Sequence, residues 1–163
     1  MRVALLSDIH DHTTHLLLAL CSAREEGCRH LLFLGDMAGT ETFRTLREEW
    51  PHGIDLVFGN NEWDTRTFMQ LAEQWDYTTL HGATADIVLD NRRLFLTHLP
   101  WDAARAAETG QYDAVFYGHT HVPAMKQTGK TLLANPGEVY GRHGTSTIGV
   151  YETETNTLRI IRL

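Results

Sequence analysis

Three times in its first half the chain follows a short apolar run with a stretch of helical period, and that alternation narrows the fold more than any other feature. Val3-Ala4-Leu5-Leu6 precedes Leu16, Leu17, Leu20 and Ala23, with Thr13 or Thr14 placed to cap a helix that stops at Gly27. Leu31-Leu32-Phe33-Leu34 precedes a helix over about 41–50, and Ile54 to Phe58 precedes one over about 65–75. Strands separated by helices are joined by crossovers, so they pair in parallel. The second half is richer in strands. Ala85–Leu89 and Arg92–Thr97 flank a tight turn at Asp90-Asn91, and a short helix over Asp102–Glu108 leads to the run Ala114–Tyr117. Met125–Gln127 and Thr131–Ala134 flank Thr128-Gly129-Lys130, and Thr147–Tyr151 and Leu158–Ile161 close the chain around Asn156. Two sheets packed face to face with helices outside, an α/β/β/α sandwich forming one domain over residues 1–163, accommodate this order.

Charge and composition exclude several classes. The formal net charge is −7 and only Lys126 and Lys130 are lysines, which argues against stable binding to nucleic acid, where clustered cations must replace counterions. No apolar run is long enough to cross a bilayer, and the start of the chain is too briefly apolar for a signal peptide. Cys21 and Cys28 follow no zinc-binding spacing, and both are read as lying on a helical stretch in packing roles. Such thiols fit a reducing compartment, so a cytoplasmic location is expected.

Ten histidines mean something only if they converge. Five apolar runs end in residues able to hold a metal: Ser7-Asp8-Ile9-His10, Gly35-Asp36, Gly59-Asn60-Asn61, Thr97-His98 and Gly118-His119-Thr120-His121. In α/β sheets functional groups gather outside the carboxyl ends of strands. An aspartate after a strand is often only a helix cap, and a lone histidine is usually structural. Five such ends at one sheet edge reverse that balance. Period-two spacing would aim Asp8 and His10 to one side if the strand stays extended, and likewise His119 and His121. Two carboxylates, one amide oxygen and four imidazoles suit Mn, Fe, Zn, Ni or Co, and seven donors are enough for two ions with open positions.

The ordered set D-x-H, G-D, G-N, a lone His and G-H-x-H resembles the calcineurin-like metallophosphoesterases, most closely their small prokaryotic members without a cap domain. The resemblance implies a two-sheet sandwich flanked by helices and two divalent transition-metal ions, manganese first among them. Asp8, His10 and His121 would hold one ion, Asn60, His98 and His119 the other, and Asp36 would bridge them. It further implies hydrolysis of phosphodiesters, small or nucleotide-like, or of phosphomonoesters, by in-line attack of a metal-bridging hydroxide. A homodimer is the expected assembly.

Departures from the family pattern mark the remaining candidates. Many relatives place a proton-donating histidine directly after the Asn ligand; here Asn61 and then Glu62 occupy that stretch, and an amide is no general acid. Glu62 either orients a ligand or forms a surface ion pair. His12 either donates a proton or caps the next helix. Trp101 follows His98 where it would wall a substrate pocket, and Arg142 stands where it would contact phosphate. Asn135-Pro136-Gly137-Glu138 carries Glu where the family turn has Ser. The rival reading is a non-catalytic assembly scaffold, as in the retromer subunit of the same fold.

Overall fold

The computed structural model describes residues 1–163 as eleven strands and four α-helices. The first sheet has the order β11(Thr157–Arg162)–β10(Thr147–Glu152)–β1(Arg2–Leu6)–β2(His30–Phe33)–β3(Gly53–Leu56)–β4(Thr78–Leu80). Strands β1 to β4 are parallel, as the alternation predicts, while β10 and β11 join antiparallel at one side. Helices α1(Thr13–Glu25), α2(Thr40–Glu49) and α3(Thr65–Gln74) are the crossovers. Strand β4 has no counterpart in the sequence reading. Its three residues, Thr-Thr-Leu, are an edge strand with no apolar run to announce it.

The second sheet has the order β5(Thr84–Leu89)–β6(Arg92–Thr97)–β7(Ala114–Phe116)–β9(Thr131–Asn135)–β8(Ala124–Thr128). Its centre is parallel too, β6 with β7 and β7 with β9, because α4(Pro100–Glu108) returns the chain between the first pair and the antiparallel edge strand β8 returns it between the second. Both hairpins form. Asp90 and Asn91 both take positive φ, the geometry of the tight two-residue turns that match strand twist. Helix α4 begins at Pro100 rather than Asp102, since proline's fixed φ suits a first helical turn.

Burial divides the molecule into four layers. Leu16, Ala19, Leu20 and Ala23 of α1 lie against Ala4, Leu6, Leu31 and Phe33 on the outer face of the first sheet. Val3, Leu5, Leu32 and Leu34 turn the other way and meet Leu94, Leu96, Ala114 and Phe116 of the second sheet. Ala103, Ala106 and Ala107 of α4 cover Val115 outside. This is the α/β/β/α sandwich expected from the element order. Cys28 corrects the reading of two helical thiols: α1 ends at Glu25, Gly27 turns with φ of 75°, and Cys28 is buried in the loop before β2.

One polar cluster lies within this frame. Asp55 on β3 accepts from His30 Nε2 at 2.7 Å and from His81 Nε2 at 2.6 Å. Burial raises the Asp55 carboxyl, but the two histidine donors outweigh it and hold its pKa near 2.

Candidate metal centre

Each of β1, β2, β3, β6 and β7 ends at the same side of the sandwich, and the seven candidate ligands come together there. They form two groups around Asp36. In the first, His121 Nε2 lies 3.2 Å from Asp8 Oδ1, while His10 Nε2 lies 3.8 Å from Asp8 Oδ1 and 3.6 Å from Asp36 Oδ2. In the second, His98 Nε2 lies 3.4 Å from the same Asp36 oxygen and 3.3 Å from His119 Nδ1, which lies 2.9 Å from Asn60 Oδ1. First-row ions hold such donors at about 2.0–2.2 Å, so atoms sharing one ion stand roughly 3–3.5 Å apart. Several of the separations fall in or near that range.

The unpaired atoms support the same fit. Asp8 Oδ1 and His10 Nε2 are buried with no hydrogen-bond partner, a state that costs free energy unless a cation accepts them. Asp8 is fully buried, and burial pushes its carboxyl up, with His98 only partly offsetting it. Asp36 behaves oppositely. Burial raises it, but His98, the Asn61 amide and backbone N–H groups outweigh that and hold it well below the carboxylate range. An ionised carboxylate with one oxygen turned to both groups is suited to bridge two cations.

The backbone differs from the extended strand ends that the period-two argument assumed. Strand β1 stops at Leu6, and Asp8, His10, Asp36, His119 and His121 all have φ between 46° and 68°. Asp and His tolerate this left-handed region better than most residues. Their side chains share the site because tight turns aim them there, and Asp8, Ile9 and His10 donate N–H bonds to the Gly35 and Asp36 carbonyls. Two glycines make the approach possible. A β-carbon at Gly59 would overlap the Asp36 carboxylate, and one at Gly118 would overlap Ser7 Oγ.

Three supporting contacts fix the ligands, and two of them escaped the sequence reading. His98 donates its Nδ1–H to the Leu34 carbonyl at 2.7 Å, which turns Nε2 to the centre. Glu138, buried at 1% exposure, accepts from His121 Nδ1 at 2.6 Å and from the His143 backbone N–H. A carboxylate behind a histidine in this way sets its tautomer and raises its donor strength. Glu62 forms no ion pair; it accepts from the N–H groups of Met37 and Gly59 and so staples the β2 and β3 loops together. The sequence signal for Glu138 was its departure from the family turn; for Glu62 nothing pointed to backbone partners.

The remaining candidates are placed as follows. Asn61 donates from Nδ2 to Asp36 Oδ2 at 2.7 Å. His12, rather than Thr13 or Thr14, caps α1: its Nδ1 accepts from the His15 N–H at 3.3 Å, so the proton sits on Nε2. Trp101 is exposed, and its ring centroid is 5.9 Å from that of His119. Arg142 is exposed on the loop between β9 and β10, next to His143, whose ring lies 5.4 Å from that of His121.

A sandwich of two sheets with a cluster of carboxylates and imidazoles able to hold a metal at its strand ends is the frame of a metal-dependent phosphoesterase. The model of the calcineurin-like phosphoesterase superfamily domain matches residues 1–156, and the chain belongs to that superfamily. It is 26% identical over 166 residues to phosphodiesterase MJ0936 of Methanocaldococcus jannaschii, covering all of this chain and 99% of that one. Phosphodiesterase YfcE of Escherichia coli is 26% identical over 180 residues, covering all of this chain and 92% of that one. A solved archaeal phosphodiesterase structure superposes with a TM-score of 0.93 at 26% identity, covering both chains fully. No helix is long and apolar enough to cross a membrane.

Proposed function

We propose that this chain is a two-metal phosphodiesterase, with Asp8, His10 and His121 at one ion, Asn60, His98 and His119 at the other, and Asp36 shared. The observation that carries the reading is the pair of buried, unpartnered donors, Asp8 Oδ1 and His10 Nε2, turned towards the same interior as Asp36 Oδ2. The named phosphodiesterases among its relatives support the substrate class. When bound, two divalent ions acidify water and take up charge on phosphoryl oxygens. The chain's part is to hold the donors rigid, through Glu138 behind His121, the Leu34 carbonyl behind His98, and three N–H groups on Asp36. Asn61 is committed to Asp36 and carries no titratable proton, so it does not protonate the leaving oxygen. His12 keeps a free Nε2–H and is the nearest alternative by sequence.

Manganese is the first ion to try, since oxygen and imidazole donors without thiolate select poorly among Mn, Fe, Zn, Ni and Co. The test is one preparation assayed twice. Elemental analysis after manganese loading should give two ions per chain, and bis(4-nitrophenyl) phosphate should turn over only when they are present. A chain that binds no divalent ion, or binds two without turnover of any phosphoester, overturns the reading, and the second result returns the scaffold role.

A further inference from the structure

The four tryptophans divide into two pairs. Trp50 is fully buried and Trp75 packs edge-on against Phe43 at 4.9 Å. Trp63 and Trp101 stand 86% and 53% exposed. Exposure alone carries little weight, because Tyr77 is equally open near the start of β3, away from the metal centre. Position carries more. Trp63 is the third residue after Asn60, and Trp101 is the third after His98. Both therefore extend from loops that bear candidate ligands of the same group. Both also sit at the head of a helix: Trp63 precedes Asp64, the cap of α3, and Trp101 is the second residue of α4.

The loops beneath them are held firmly. Asn61 is bonded to Asp36, and Glu62 to the Met37 and Gly59 N–H groups, so Trp63 follows two anchored residues. The Trp101 ring meets His119 at an interplanar angle of 77°, edge to face, leaving a broad indole surface open. The Trp101 indole, half in water beside His119, and the Trp63 indole, in water three residues from Asn60, each forgo a substantial burial gain, and indoles combine a large apolar face with low ordering cost for a ligand. The other group of ligands lacks such rings and is flanked by Tyr140, whose ring lies 5.7 Å from that of His10.

We propose that Trp63 and Trp101 form a stacking platform for a planar base, so that the substrate is a nucleotide-like phosphodiester whose nucleoside arm lies over Asn60, His98 and His119. This rests on the phosphodiesterase reading above and specifies its substrate. Indole faces stack on any base without reading its edges. A chain of net charge −7 with two lysines lacks the cations that track a polymer backbone, so the platform suits a mono- or dinucleotide-sized ester rather than a strand.

The test uses the full-length, manganese-loaded protein and two esters with the same leaving group: thymidine 5′-(4-nitrophenyl phosphate) and methyl 4-nitrophenyl phosphate. The protein should prefer the nucleoside ester, chiefly through KM. Trp63→Ala and Trp101→Ala should each reduce that preference by about five- to a hundredfold, the loss expected for one base stack. Trp→Phe at either position should restore most of it, with metal content unchanged. A preference that survives the double alanine variant overturns the platform and leaves the phosphodiesterase reading standing. If neither ester is cleaved, that reading falls, and quenching of tryptophan fluorescence by thymidine 5′-monophosphate in the metal-free protein decides the platform alone. Saturable quenching that disappears in the double variant upholds it; no quenching overturns it.

Discussion

The two groups of donors that share Asp36 are built to different plans. The Asp8–His10–His121 group has a carboxylate of its own, a second carboxylate behind His121, and two buried atoms with no partner. The Asn60–His98–His119 group has a neutral amide in place of the carboxylate, and its atoms already contact one another at 2.9 and 3.3 Å. The first group has a close contact of its own, His121 to Asp8 at 3.2 Å, yet leaves two buried atoms without a hydrogen-bond partner, while the second leaves none. Coulomb attraction and the cost of leaving Asp8 Oδ1 and His10 Nε2 without hydrogen-bond partners both favour the first group, so it should bind its ion more tightly.

The largest effect that could break this comparison is on the shared carboxylate. Asp36→Asn keeps the shape and an oxygen acceptor but removes the charge common to both groups. Elemental analysis should then find neither ion, and turnover should fall to background. Asp8→Asn should empty the first group and leave the second weakly filled. If Asp36→Asn retains a full complement of ions, Asp36 is not a bridge and the two groups are independent.

A smaller change sharpens the asymmetry. Glu138→Ala removes the acceptor behind His121, and such supporting residues typically contribute about 10- to 100-fold in metal affinity. Calorimetric titration should show the tighter binding step weakened by that factor and the weaker step unmoved. An equal loss at both steps would mean that Glu138 serves the fold of the 138–143 loop rather than His121.

Acid provides a third comparison. Imidazoles must be neutral to bind a metal, and their ordinary pKa is about 6.5, so lowering pH from 8 to 5 at limiting metal should strip ions and activity together. The group without its own carboxylate should empty first, and added manganese should restore part of the loss. Unfolding should not contribute in that window. The Asp55 carboxyl has a folded pKa near 2, below its ordinary 3.8, so its contribution to stability is present above about pH 4 and is lost as pH falls through 2. That contribution is on the order of 2 kcal/mol. Circular dichroism should therefore be unchanged at pH 5 where activity has fallen; a simultaneous loss of both would mean that acid acts on the fold.

These contrasts also show what the sequence could and could not disclose. The five strand ends were legible because each pairs an apolar run with a polar residue at a break, two local signals in one place. Strand β4 was not, because an edge strand of three residues carries neither signal. The turns at Asp8 and His119 were not legible, since φ above zero in Asp or His leaves no mark when glycine is not used. Glu138 and Glu62 act across 17 and 25 residues, on a ring nitrogen and a backbone N–H, and such pairings exist only once the loops are in place. The half-groups themselves came from the family likeness; their unequal completeness came only from the packed structure.

The smallest expected effect concerns Asn61, whose amide ties the shared oxygen of Asp36 at 2.7 Å. If no group there protonates the departing oxygen, rates should depend strongly on leaving-group acidity, and aryl esters should be cleaved far better than alkyl esters. Asn61→His would introduce an acid titrating near neutrality. General acid catalysis contributes roughly 10²–10⁴-fold where the donor is aimed. The gain should be well below that, because Glu62 fixes the next residue to two backbone N–H groups and the imidazole would leave Asp36 with one donor fewer. On the proposed reading, Asp36 would then hold its cations at a slightly different balance, so occupancy must be measured alongside rate. With occupancy constant, alkyl esters should gain more than aryl esters. An equal change in both would place proton donation elsewhere, and His12 is the group to replace next: its Nδ1 is held by the helix cap, and its Nε2 keeps the proton a leaving oxygen needs.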